Sequence, residues 1–312
     1  HSSSGMRLSR GCRLSCISTR RSLMLSRLGC FRKASSQALP TPETRSSSLE
    51  YASSCWLPTT WTDVPLVHME EVSHDVTLYT FGLPKDTALN LPTCACILLK
   101  GPNDSVRPYT PISETSKLGS FDLLVKRYPN GAVSQYLHEL SIGDRVAFKH
   151  IKFNIKAQYP FEGAQNITLL AAGTGITPMY QALLKLMNTP GDSRKVTLLY
   201  GSKSKADILL LPELEVMAKA HTDRLKIVHI VGTSPTDSPP SEWDHVASVQ
   251  GGWIDEAKIK EYAAPPANDT LIFVCGLPGM YDALCGPRTE PELAEGSVLQ
   301  RLGYSQKMVA KM

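Results

Sequence analysis

Asn166-Ile-Thr-Leu-Leu-Ala-Ala-Gly-Thr-Gly-Ile-Thr-Pro178 is the stretch on which the fold turns. Its first seven residues form an apolar run of the kind buried on both faces of a parallel sheet. Gly173 and Gly175 then break the run, and Pro178 suits the first turn of a helix. A strand, a glycine turn and a helix in that order put backbone N–H groups where a nucleotide phosphate binds. The third glycine of the usual dinucleotide fingerprint is absent, so a tight strand–helix turn without a ligand stands as the alternative.

The same alternation repeats downstream. A helix is predicted from about residue 178 to 187, and Lys195-Val-Thr-Leu-Leu-Tyr200 reads as the next strand. Residues 210–217 open another helix, 225–231 form a third strand and 270–275 a fourth. Continuous apolar strands alternating with helices predict an α/β doubly wound domain with a parallel sheet, over residues 161–312. Val274-Cys-Gly-Leu-Pro-Gly-Met280 closes the last strand, and ligands of open α/β sheets bind beyond those carboxyl ends. Cys275 and Gly276 therefore belong on the same rim as Gly173–Gly175. The thiol is a candidate nucleophile, but no histidine is near in sequence to activate it. A small, soft group against a flat ring and a plain core cysteine are the other readings.

Upstream the pattern is different. Residues 77–81 and 121–126 alternate, 94–99 are apolar, 145–148 form a further strand, and one short helix covers 132–140. Short strands at close spacing predict an antiparallel β-barrel over residues 61–160. Cys94 and Cys96 are expected on one face of a strand, packed as small hydrophobes.

This domain contains Arg107-Pro-Tyr-Thr-Pro-Ile-Ser113. A guanidinium holds phosphate bidentately, a phenol gives a flat face with a polar tip, and the Thr110 hydroxyl both donates and accepts. Pro108 and Pro111 keep the backbone extended and remove competing donors. Such a set suits a flat, phosphate-bearing heteroaromatic ligand such as a flavin nucleotide. An edge strand whose prolines discourage pairing is the alternative. Gly131-Ala-Val-Ser134, at a helix start, offers N–H groups and a hydroxyl to an anion. Gly131 ending a hairpin with Ser134 as a local capping partner explains the same residues without a ligand.

The chain has 312 residues, 42% hydrophobic and 20% charged, enough for two soluble domains. Its net charge of +4 is unevenly placed. Eight Lys or Arg and no Asp or Glu fall between Met6 and Pro42, and the remainder is slightly acidic. Bulk charge therefore makes no case for nucleic-acid binding. Residues 1–5 resemble a tag remnant. The Arg- and Ser-rich, acid-free segment 6–42 reads as a mitochondrial targeting segment, with a basic tail for anionic surfaces as the alternative. Residues 43–60 read as a linker. The eight cysteines show neither a CxxC pair nor zinc spacing, so reduced thiols and no metal are expected.

Together, Arg107–Ser113, Gly131-x-x-Ser134, Gly173-Thr-Gly-Ile-Thr-Pro178 and Cys275-Gly-x-Pro-x-Met280 resemble the NADH–cytochrome b5 reductase family of ferredoxin–NADP reductase-like flavoproteins. Ser134-Gln-Tyr-Leu137, Asp207-Ile-Leu-Leu210 and Pro212-Glu-Leu-Glu215 add to the likeness, which runs from about residue 60 to the last. The resemblance implies FAD and NADH as cofactors. Arg107 would hold the FAD pyrophosphate, with Pro108 and Tyr109 along the flavin and Thr110 near its N5. Leu124 and Lys126 would line the FAD, and Gly131, Val133 and Ser134 would cradle the pyrophosphate. Thr177 would reach the flavin from the second domain. Gly173, Thr174, Cys275, Gly276, Pro278 and Met280 would line the NADH site, with Thr110 and Cys275 as the catalytic candidates.

By the same resemblance, hydride passes from nicotinamide C4 to flavin N5, and electrons leave singly for cytochrome b5 or a similar haem protein. A quinone or iron–sulfur acceptor, or a flavin-free binding module, are the competing readings. The expected protein is a mitochondrial monomer, associated with membranes peripherally through its N-terminal segment. Lys149-His150 stands where many relatives have Gly-Pro, Ala132 where they carry Lys or Arg, and Ala310-Lys-Met312 where they have an aromatic end.

Overall fold

The computed structural model describes residues 55–151, 157–232 and 247–312. Residues 6–42, expected to form a targeting segment, and most of the expected linker lie outside the described residues. The remaining residues build two sheets, the first antiparallel and the second parallel.

The antiparallel sheet contains β1 (Thr62–Ser73), β2 (Val76–Gly82), β3 (Ile97–Lys100), β4 (Val106–Tyr109), β5 (Ser120–Lys126) and, after helix α1 (Ala132–His138), β6 (Arg145–His150). Their order is β4-β3-β6-β1-β2-β5. Alternation turns Phe81, Phe121 and Phe148 to one side, where their rings pack with centroids 4.7–5.6 Å apart. Contact between β5 and β6, three strands apart in the order, requires the sheet to roll around this aromatic core. Leu57 is buried in the same cluster, and Trp56 N–H donates to Leu89 C=O. Residues 55–60, expected to be linker, thus belong to the folded domain.

The parallel sheet contains β7 (Asn166–Ala172), β8 (Lys195–Ser202), β9 (Leu225–Val231), β10 (Ala247–Gly251), β11 (Thr270–Cys275) and β12 (Val309–Lys311), in the order β10-β9-β8-β7-β11-β12. Between them lie α2 (Ile176–Asn188), α3 (Leu211–Ala220), α4 (Glu256–Tyr262), α5 (Pro278–Leu284) and α6 (Val298–Arg301). Leu169 joins the cluster under α2 and α3, while Leu170 joins the one under α4, α5 and α6. Both faces of β7 are therefore covered, which explains its unbroken apolar run. Each fully buried leucine here contributes about 1.5–3 kcal/mol. After β7 the chain moves to β8 on one side, and β11 lies on the other. The carboxyl ends of β7 and β11 hence flank the point where strand order reverses, the crevice where open α/β sheets bind ligands.

Three strands depart from the expectation. β1, β10 and β12 were not predicted, giving six strands in the second domain where four were expected. Cys94 and Cys96 both precede β3, and Cys94 holds φ +65°, so the two do not share a strand face. Helix α2 starts two residues before Pro178 and ends where Thr189 turns extended ahead of Pro190.

Candidate active site

Strand β4 carries the first half of the site. Leu99 and Ile97 of β3 stand opposite Arg107 and Tyr109. Arg107 and Pro108 are exposed, while Tyr109 and Thr110 are half-buried. The Arg107 guanidinium donates to the carbonyl of Val106 at 2.8 Å, and among the described residues it has no carboxylate partner. Its remaining donors fit an anion. Tyr109 packs against the aromatic core, and burial pushes its phenol up to about 12 despite the nearby Arg107 charge. It stays neutral at physiological pH and offers a flat face.

Strand β5 does not meet the expectation for its side chains. Leu124 is buried in the cluster that also holds Ile176 and Met179 of α2, so it packs between the domains. Lys126 reaches Asp75 at 2.6 Å and is already ion-paired. Nor do the side chains at the start of α1 face a ligand. Val133 is 3% exposed and belongs to the first domain's core. The Ser134 hydroxyl accepts from the Tyr128 N–H at 3.1 Å and donates to Gly131 C=O at 3.0 Å. Gly131 is required because a Cβ there would collide with that hydroxyl. Ser134 therefore ties the turn to the helix, and only backbone groups at this turn remain for an anion.

The second half lies at the switch point. Gly173 holds φ +54°, with open space where a Cβ would stand, so a ligand can approach its backbone closely. Thr174 is half-buried beside it and Thr177 is buried in the first turn of α2. A Cβ on Gly175 would collide with the carbonyl oxygen of Cys275, which puts the two glycine turns in direct contact. Gly276 has the same constraint, since its Cβ would meet the Met280 sulfur at 2.5 Å and Ala172 at 3.1 Å. Pro278 opens α5 on the exposed rim.

Burial raises the pKa of the Cys275 thiol more than its neighbours Tyr281 and Arg288 lower it. It is protonated at neutral pH. A buried, protonated thiol is a poor nucleophile, so a small, soft packing group fits this place better.

One supporting residue escaped the sequence. Tyr200, wholly buried on β8, donates its hydroxyl to Gly173 C=O at 3.0 Å and accepts from the Leu209 N–H at 3.3 Å. It ties the glycine turn to the loop after β8. As the last member of an apolar strand it reads as core, and nothing in the sequence separates the two roles. The glycine turn also packs against β5. This brings the Gly173–Gly175 rim of the second domain beside β5 of the first.

A family model described as "Oxidoreductase FAD-binding domain" matches residues 63–155, and one described as "Oxidoreductase NAD-binding domain" matches 169–286. The chain is 37% identical over 264 residues to NADH-cytochrome b5 reductase 2 of Coccidioides immitis, covering 80% of this chain and 77% of that protein. The chain belongs to the NADH–cytochrome b5 reductase family. The homologous reductase of Scheffersomyces stipitis is 36% identical, over 80% of this chain and 83% of its own. Among solved structures, the cytochrome b5 reductase domain of Ulva prolifera nitrate reductase superposes with a TM-score of 0.69 at 30% identity, over 82% of this chain and 98% of that one. The reductase thus has an FAD-binding domain on its antiparallel sheet and an NAD-binding domain on its parallel one, and the open Gly173 turn and uncommitted Arg107 donors fit those cofactors.

Proposed function

We propose that this reductase oxidises NADH and passes the electrons to cytochrome b5 or a similar haem protein. The observation that carries the reading is the packing of the Gly173–Gly175 turn against β5, which sets a nicotinamide nucleotide site beside a flavin site. Bound FAD supplies the chemistry that side chains lack, accepting two electrons with a hydride and releasing them singly. Arg107 holds the pyrophosphate through charge-assisted bonds. Tyr109 and Pro108 would give the flavin a flat wall, and the Thr110 hydroxyl would be free to hydrogen-bond the ring. Backbone N–H groups of Thr174 and Gly175 receive the coenzyme phosphates at the start of α2, and Thr177 approaches the flavin from the same turn. Cys275 and Gly276 let the nicotinamide lie close to the β11 rim. No side-chain acid or base is required for the hydride step.

Absorbance spectroscopy and an acceptor screen test this. The expected protein is yellow, is bleached by NADH more readily than by NADPH, and reduces cytochrome b5 faster than quinones or an iron–sulfur protein. A colourless protein that gains no flavin absorbance with added FAD sinks the reading. Faster reduction of a quinone moves the activity to the other acceptor class.

The acid-free basic segment 6–42 supports a mitochondrial location. A reporter carrying residues 6–45 is expected in mitochondria, and a diffuse cytosolic signal would contradict that.

A further inference from the structure

Cys94 holds φ at +65°, the left-handed region that Gly, Asn and Asp adopt readily and cysteine does not. Helix α2 of the other domain maintains it. The Cys94 N–H donates to Gln181 Oε1 at 2.5 Å, and its thiol donates to Pro178 C=O at 3.4 Å. Both contacts are buried. Gln181 is 3% exposed, and its Nε2 has no hydrogen-bond partner among the described residues. The Cys94 donor fixes which end of the amide is oxygen, so turning the group over gives Nε2 no relief. An apolar side chain of the same length would occupy this place without an unpaired donor. A strained backbone and a half-satisfied amide thus meet at one interdomain contact, and what they share is the bond between them.

That bond lies on a short rigid path between the two half-sites. Gln181 is one helical turn beyond Thr177 on α2. Cys94 precedes β3, whose Ile97 stands opposite Tyr109. At the far end of α2, Asn188 Nδ2 donates to Glu114 Oε1 at 2.6 Å, just past the Arg107–Ser113 segment. The helix that begins at the glycine turn is therefore tethered to chain on both sides of the flavin strand. The Asn188 contact is exposed and the Gln181 contact is dry, so the latter is the stiffer tether.

We propose that Gln181 is a positioning residue for hydride transfer, holding Cys94 so that the Gly173–Thr177 turn keeps its place against Tyr109 and Thr110. This rests on the reductase reading above, since an error of about 1 Å between reacting atoms costs up to about a hundredfold in rate.

Anaerobic stopped-flow measurement of flavin reduction by NADH tests it on the full chain. Gln181→Met keeps the length and removes the acceptor. The expected result is a limiting reduction rate lower by about tenfold or more, with a larger isotope effect from C4-deuterated NADH, while FAD content and NAD+ affinity stay within about twofold. Gln181→Glu, measured at pH 6 where a buried carboxyl is protonated and nearly isosteric with the amide, is expected to recover the rate to within about threefold. A Met variant with an unchanged limiting rate overturns the proposal. So does a Glu variant that retains FAD yet is as slow as the Met variant. If the Met variant does not retain FAD, the Glu variant alone decides: at pH 6 a limiting rate within about threefold of the parent supports the proposal, and a larger loss overturns it. The parent chain is measured first. No NADH-driven reduction there overturns the reductase reading and this proposal together, whereas normal parent reduction with an unaffected Met variant overturns only the second.

Discussion

Among the described residues Arg107 bonds its neighbour's carbonyl alone, so its loss is expected to disturb little of the fold while removing a cation from the proposed phosphate site. Arg107→Ala is expected to cost about 1.5–3 kcal/mol of FAD binding, roughly ten- to 150-fold in Kd. Fluorescence titration of the FAD-free protein reads this directly, and unchanged affinity would remove Arg107 from the site. His229 shows the opposite situation, a titratable side chain with no surface, packed 6.1 Å from the Tyr200 ring. Burial holds its pKa down to about 4 from the ordinary 6.5. The unfolded chain therefore takes up a proton that the folded one refuses as pH falls from 6.5 towards 4. Stability is full above that window and drops by the order of 3 kcal/mol across it. His229→Leu should flatten this acid slope in urea titrations at several pH values; an unchanged slope assigns the acid sensitivity elsewhere.

At the level of elements, the two glycine turns are coupled by backbone contact, and the kind of atom opposing each glycine ranks their substitutions. Gly175→Ala drives a methyl into the Cys275 carbonyl, which belongs to the end of a sheet strand and cannot swing away. Gly276→Ala meets chiefly a methionine sulfur, the mobile end of a flexible side chain. The first is expected to cost about 3 kcal/mol and the second about 1 kcal/mol in thermal unfolding. Michaelis constants for NADH should rise in the same order, and equal effects would mean the turns yield independently. The legible elements were those whose burial matches their pattern. β7, β9 and β11 are covered on both faces and read as apolar runs. In β1 only Val64 and Leu66 are buried, and Glu70 and Glu71 sit in its outer half, so its polar surface hides the strand. β10 and β12 are short and lie at the sheet edges, formed by pairing with β9 and β11 rather than by their own composition. The motifs single out stretches of chain, whereas the side-chain directions within them depend on partners brought in by the fold. Ser134 bonds Gly131, the local capping role that its spacing offers as the alternative, whereas Lys126 is satisfied by Asp75, a partner that local spacing does not disclose.

Across the whole molecule, one buried cluster runs through both sheets' neighbourhoods. Val76, Cys94, Ile112 and Leu124 come from the FAD-binding domain, and Ile176, Met179 and Tyr180 from α2 of the NAD-binding domain. Transient domain interfaces are more polar than this, and domains joined through a polar interface unfold separately. A continuous apolar core instead penalises either domain for opening alone, because it would expose the other's buried surface. The reductase is therefore expected to unfold in one step, with flavin fluorescence and far-UV circular dichroism tracing the same urea curve. Leu124→Ala provides the sharper test, since its side chain is 4% exposed within that shared cluster. Removing it should cost about 2–5 kcal/mol. If the core couples the domains, both probes shift together to lower urea. If flavin is lost well before the circular dichroism changes, the FAD-binding domain opens by itself, and the relative placement of the two half-sites is not held by the core.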